Sequence, residues 1–224
     1  MNLFSNVSMG FLTKINSVLL LLVIFTIFLI PFFSMERHRI LYSVCFTLIF
    51  LLSSLALSKY HPRIFNITLI VIIIEWLSEV LNMIILNNVS FLSNILFFDL
   101  IVVLFILQII RSKTVTPRVL MKSVTAYLLL GLSFAIMIGL ITVADPNSYS
   151  FPHLKQPLVE GISYTSNYIY YGFVTLTTLG YGDVAPLTPA AKSFSIFTAI
   201  TGQLYVAIII ATLVSKYLGQ KKSN

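Results

Sequence analysis

Apolar residues along this chain fall into long blocks separated by short polar knots. The blocks occupy residues 15–33, 40–57, 64–86, 91–110, 117–144 and 189–218. Each approaches or exceeds the roughly 20 residues that carry an α-helix across a hydrocarbon core. The pattern therefore predicts six spanning helices and an all-α integral membrane protein in contact with membrane lipids. Breakers fall between the blocks: Pro62 lies in the knot 58–63, the run 87–90 joins the third block to the fourth, and Pro117 is placed to open the fifth helix. Residues 145–164 hold Pro146, Pro152 and Pro157 among polar neighbours and read as an exposed loop. Thr188-Pro189 reads as the start of the last helix. The first block is longer than a signal-peptide core and lacks a small-residue cleavage pattern, so a retained helix is expected.

Three carboxylates interrupt the blocks. Glu75 and Glu79, with Asn82, are spaced to share one face of the third helix, and Asp99 lies near the middle of the fourth. Ionisable groups at this depth are costly and need a partner, a water-filled crevice or a function. Two readings stay open: an interhelical hydrogen-bonded cluster, or a proton-sensing or ion-binding role.

One stretch fits neither of the blocks beside it. Residues 175–183 read Thr-Leu-Thr-Thr-Leu-Gly-Tyr-Gly-Asp, too polar and glycine-rich to continue a spanning helix. Gly180 and Gly182 can adopt positive φ, which lets the backbone turn successive carbonyl oxygens the same way. A dehydrated cation requires such a column of oxygens. The stretch resembles the signature of the tetrameric potassium channels: Thr178, Leu179, Gly180, Tyr181 and Gly182 stand where that family has Thr-Val-Gly-Tyr-Gly, followed by Asp183 and Pro186. Leu179 departs from the usual valine. Residues 170–178 resemble the family's pore helix, with Tyr170 and Tyr171 where paired tryptophans are usual, and residues 199–202 resemble the inner-helix segment that carries a hinge glycine, here Gly202.

The resemblance implies a filter whose carbonyls, from Thr178 to Gly182, replace the hydration shell of K+, assembled from four chains around an axis. It further implies filter support from Tyr170, Tyr171, Thr175 and Asp183, in one of two ways: Tyr170 donates a hydrogen bond to Asp183, or both tyrosines fill an apolar cuff around Tyr181 with Thr175 as its nearby hydroxyl partner. Below Gly202, Val206, Ile210 and Val214 recur on one face, which either lines the pore or packs against the fifth helix. The expected division is a four-helix domain over residues 1–111 and a pore domain over residues 112–224. Six segments with a filter between the fifth and sixth resemble a voltage-gated channel, but the fourth block holds no arginine or lysine, so little intrinsic voltage sensing is expected.

Composition narrows the remaining classes. The 224 residues are 58 % hydrophobic and 9 % charged, with a net charge of +7. With both termini cytoplasmic and the filter opening outward, every basic residue except Arg37, Arg39, Lys155 and Lys192 falls on the inner side, as the positive-inside rule requires. The charge therefore needs no nucleic-acid partner, and a plasma-membrane protein is expected. The single cysteine, Cys45, can form no intrachain disulfide. No paired nucleophile and base, metal-spaced Cys/His set or phosphate loop is present, so no enzyme and no cofactor beyond the permeant K+ is expected. Few residues follow the last block, so a familiar cytosolic regulatory module is not expected, and a separate regulatory subunit stays open. Competing classes are a proton-coupled carrier built on Glu75, Glu79 and Asp99, and an intramembrane hydrolase, for which His38, His61 and His153 lie in connections.

Overall fold

The computed structural model describes residues 9–58, 61–81, 84–151 and 165–223. Helix α1 (Met9–Ile24) continues through a π-helical turn (Phe25–Leu29) and a 3-10 turn (Ile30–Phe32). Pro31 explains the change of register: it lacks an N–H and its ring crowds the carbonyl four residues back, so the ordinary ladder cannot close across it. Then follow α2 (Met35–Leu57), α3 (Pro62–Leu81), α4 (Ile84–Arg111), α5 (Pro117–Ala144), the short α6 (Thr165–Leu176) and α7 (Pro189–Ser223). Among the described residues, five helical stretches are long and apolar enough to cross a membrane: 10–32, 40–57, 92–111, 117–144 and 189–220. Helix α3 adds a further helix of 20 residues.

One expectation is corrected. Residues 87–90 are not a connection, because α4 already begins at Ile84. They contain no Pro or Gly, and Asn and Ser cost a helix only a few tenths of a kcal/mol each. The helices are accompanied by one short ribbon. Strands β1 (Tyr149–Ser150) and β2 (Ala185–Pro186) pair antiparallel, with Tyr149 opposite Pro186 and Ser150 opposite Ala185. Leu187 N–H donates to Ser148 O at 2.8 Å beside them. This ribbon ties the segment after α5 to the segment that leaves the glycine-rich stretch.

The first four helices form one packed unit, with α2 against α1, α3 and α4, and α3 against α4. Phe50 of α2 meets Phe98 of α4 edge-on at 5.5 Å, and Phe46 meets the same ring at 6.2 Å. Such pairs contribute about 0.5–1.5 kcal/mol each beyond area burial. Both α1 and α4 lie on α5 of their own chain. The α4–α5 connection explains the proximity, since residues 112–116 reach at most roughly 18 Å when extended. Thr116 caps α5, its Oγ1 accepting from Val119 N–H at 3.4 Å, with Pro117 at the first helical turn. Helix α6 seats on α5: the Phe173 ring covers Gly131, and Gly172 lies against the Ala135 main chain.

A candidate ion pathway

The polar stretch begins where α6 ends. Thr177 N–H donates to Phe173 O at 2.9 Å and Thr178 N–H to Thr175 O at 3.0 Å. The N–H groups of Leu179 and Gly180 both turn back to Val174 O, at 3.0 and 3.3 Å. Four successive donors thus satisfy carbonyls that the end of α6 would otherwise leave orphaned.

The torsions beyond α6 then alternate. Thr178, Gly180 and Gly182 have φ of +58°, +58° and +80°, while Leu179 and Tyr181 between them do not share the positive region. Left-handed residues alternating with residues outside that region let successive carbonyl oxygens turn to one side, the arrangement a dehydrated cation needs. Glycine supplies two of the three left-handed positions without steric cost. Thr178 does not, and two side-chain contacts hold it: its Oγ1 donates to Thr177 O at 2.7 Å and accepts from Gln203 Nε2 of α7 at 2.9 Å. The C-terminus of α6 carries about half a negative charge by its macrodipole, and no basic residue in its last turn offsets it. Residues 177–183 are all exposed in the single chain.

The flanking residues lie against this backbone. Tyr170 Oη donates to Asp183 Oδ2 at 2.6 Å, and its ring stacks on Tyr181 at 6.5 Å with the planes 6° apart. The hydrogen bond to the Asp183 carboxylate pushes the Tyr170 phenol up to about 12, which keeps it a donor throughout the physiological range. Tyr171 does something else. It is buried, its Oη pairs with Ser195 Oγ of α7 at 2.8 Å, and its ring meets Tyr149 of β1 edge-on at 5.2 Å. Thr175 is half-buried, with its carbonyl taken by Thr178 N–H.

Helix α7 passes the end of α6 at Gly202, where an added Cβ would overlap Leu176 O. Val206, Ile210 and Val214 sit on exposed positions of α7 in the single chain, whereas Ile209 is buried. The intramembrane acids lie on α3 and α4 rather than on the stretch 175–183. Asp99 of α4 accepts a hydrogen bond from Ser133 Oγ of α5, and Glu75 is half-buried on α3. The Glu79 side chain and Asn82 lie outside the described residues.

Sequence reasoning did not single out Gln203 or Ser195, nor the positive φ of Thr178. For Gln203 a signal was present: it is the only amide between Ser195 and Ser215 of α7, adjacent to the glycine that brings α7 against α6. Nothing in the residue type marks Thr178 as left-handed.

Comparison with a family model falls on this same region. Residues 124–218 match a family model described as "Ion channel". The chain is similar to Two pore potassium channel c of Oryza sativa subsp. japonica, 48 % identical over 50 residues, which is 22 % of this chain and 11 % of that protein. It is similar to Two-pore potassium channel 3 of Arabidopsis thaliana, 28 % identical over 113 residues, 50 % of this chain and 23 % of that protein. It also resembles Potassium voltage-gated channel subfamily A member 10 of Mus musculus, 31 % identical over 86 residues, 38 % of this chain and 16 % of that protein. The matched segments cover less than a quarter of the length of each of these relatives. No solved structure matches. The span from α5 to α7 is therefore similar to ion channels, and the chain is similar to potassium channels through these relatives.

Proposed function

We propose that the protein is a potassium-selective channel, a passive conductor and not an enzyme. Residues 178–182 form the filter and K+ is the permeant ion. The observation that carries this reading is the alternation of φ through Thr178, Gly180 and Gly182 while the preceding N–H groups are turned back into α6. That arrangement leaves a row of carbonyls free to replace a cation's hydration shell. Six spanning helices, with both termini cytoplasmic and the filter opening outward at the plasma membrane, agree with the placement of basic residues.

The same geometry supports a fourfold homo-oligomer. One chain contributes one row of carbonyls, and irregular backbone at membrane depth is tolerated only where protein buries it or water lines it. Within the chain 61 % of the spanning stretch of α5 is buried against 17 % of that of α7, so α7 is the surface left for neighbouring copies. Val206, Ile210 and Val214 then line the inner cavity or the contact between copies. Purified protein in liposomes should pass potassium in strong preference to sodium. Flux obligatorily coupled to protons or to another solute would instead favour a carrier.

The fourth helix argues against steep voltage dependence. Its only basic residue is Arg111, in the last turn, whereas each charge moved through 100 mV contributes about 2.3 kcal/mol. Steady-state conductance should therefore change little across physiological voltages in planar bilayers. A steep conductance–voltage curve with gating charge mapped to α4 would overturn this part.

Tyr170 is read as the brace that holds the filter's outer end through Asp183. Tyr170→Phe keeps the stacked ring and removes the donor, so conduction should decline severalfold faster in sustained recordings. Tyr171→Phe should act less, because it loses a contact to α7 rather than to the filter. A Tyr170→Phe channel as steady as the parent would remove the brace.

A further inference from the structure

At the end of the molecule remote from the filter's outer mouth, a cavity of about 700 Å³ opens between α1, α4, the α4–α5 connection and α5, with His61 just before α3 at its edge. Arg111 at the end of α4, Lys113 in the connection, and Arg118 and Lys122 in the first turns of α5 line it, together with Gln108 and His61. No carboxylate is among the described residues that line it. The positive end of the α5 macrodipole adds to the same field.

The positive-inside rule accounts for cations on this face but not for their being set into a cavity. Two details point to a ligand. Lys122 is only 7 % exposed although it carries an ammonium group, and its Nζ donates to Gln108 Oε1 at 2.5 Å. Gln108 Nε2, on the same amide, is buried without an acceptor. The floor of the cavity thus offers donors in excess of acceptors, and an anion supplies the missing oxygens. Two carbonyls at the neighbouring negative end of α4 are already engaged: Ser112 N–H and Oγ donate to Ile109 O at 3.2 and 2.9 Å, and Lys216 Nζ of α7 to Ile110 O at 2.5 Å.

We propose that this cavity binds a phosphate-bearing anion, with Lys122 and Gln108 at its floor and Arg111 and Lys113 at its rim. At this depth the phosphate comes from a lipid headgroup of the inner leaflet or from free phosphate in solution. Occupancy reaches the pore, since Lys216 joins the cavity's α4 wall to the inner helix. The inference takes from the proposed function only the orientation of the chain, and binding is measurable without conduction.

The full chain, purified in detergent, is titrated with short-chain phosphatidic acid, short-chain phosphatidylcholine and inorganic phosphate while its thermal unfolding is followed. Phosphatidic acid should raise Tm at concentrations where phosphatidylcholine does not. Arg111→Gln and Lys113→Gln, both at the exposed rim, should each weaken that binding about fivefold, since a basic side chain at an anionic surface contributes about 1 kcal/mol. Lys122→Gln should weaken it further if it folds. A similar rise with inorganic phosphate, lost in the same variants, supports the site and assigns the source to solution. No stabilisation by either phosphate, or stabilisation that the rim variants leave unchanged, overturns the proposal. Potassium flux from the same preparation reports separately on the channel reading.

Discussion

Replacing Gly180 by alanine is expected to abolish potassium flux while leaving the chain folded in the membrane. An added Cβ at this position meets nothing within 4 Å in the single chain, so no collision unfolds the protein. The damage comes from the backbone, where φ is +58°. A residue with a Cβ loses about 1–2 kcal/mol in the left-handed region, and a ring of four copies would carry that strain four times. Thr178 tolerates the same φ because its hydroxyl is held from two sides, by Thr177 O and by Gln203. Alanine has no such handle. The cheapest relief is rotation of the adjoining peptide, which turns a carbonyl away from the row and replaces an acceptor with an N–H facing the ion. Efflux from liposomes at matched protein amounts, with helix content checked by circular dichroism, measures the effect. Potassium flux at the parent's level would remove residues 178–182 as the filter.

What could be read from the chain alone followed the strength of the local physics. Pro117 and Pro189 announce α5 and α7 because a fixed φ and a missing N–H are tolerated at a first turn and nearly nowhere later. Gly180 and Gly182 announce the left-handed positions for a similarly local reason. Asn87 and Ser90 misled, since amides and hydroxyls favour turns only weakly and a membrane-facing backbone without Pro or Gly closes its own helical bonds. The β1–β2 ribbon was invisible because two residues give no alternation to detect; its register is set by the pore segment folding back on itself. The Tyr170–Asp183 contact could be expected only through family resemblance, as thirteen residues of sequence separation carry no geometric signal. Gln203 on Thr178 and Ser133 on Asp99 are tertiary facts of the same kind.

Gly202→Ala separates two reasons for a glycine in the inner helix. If Gly202 serves as a flexible hinge, alanine stiffens α7 and stabilises it, by about 1 kcal/mol from helix propensity. The structure supplies a different constraint. Helix α7 runs unbroken from Pro189 to Ser223, and at Gly202 it touches the end of the pore helix so closely that a Cβ would overlap Leu176 O and come within 2.9 Å of the Leu176 carbonyl carbon. A main-chain atom cannot rotate away as a side chain can, so one helix must move. Overpacking of this kind costs typically 1–3 kcal/mol, more than the propensity gain at the upper end and at least equal to it at the lower. The displacement falls where it does most harm. Leu176 is the last residue of α6, and Thr178, two residues on, is held by Gln203, the next residue along α7. Moving α7 outward stretches that hydrogen bond and releases Thr178 from its left-handed conformation. Alanine at 202 should therefore lower Tm by several degrees in detergent and reduce potassium flux at least tenfold, with weakened preference over sodium in the flux that remains. A variant with unchanged or higher Tm and intact selectivity, differing only in open probability, would show that flexibility, and not close approach, is what the chain requires at this position.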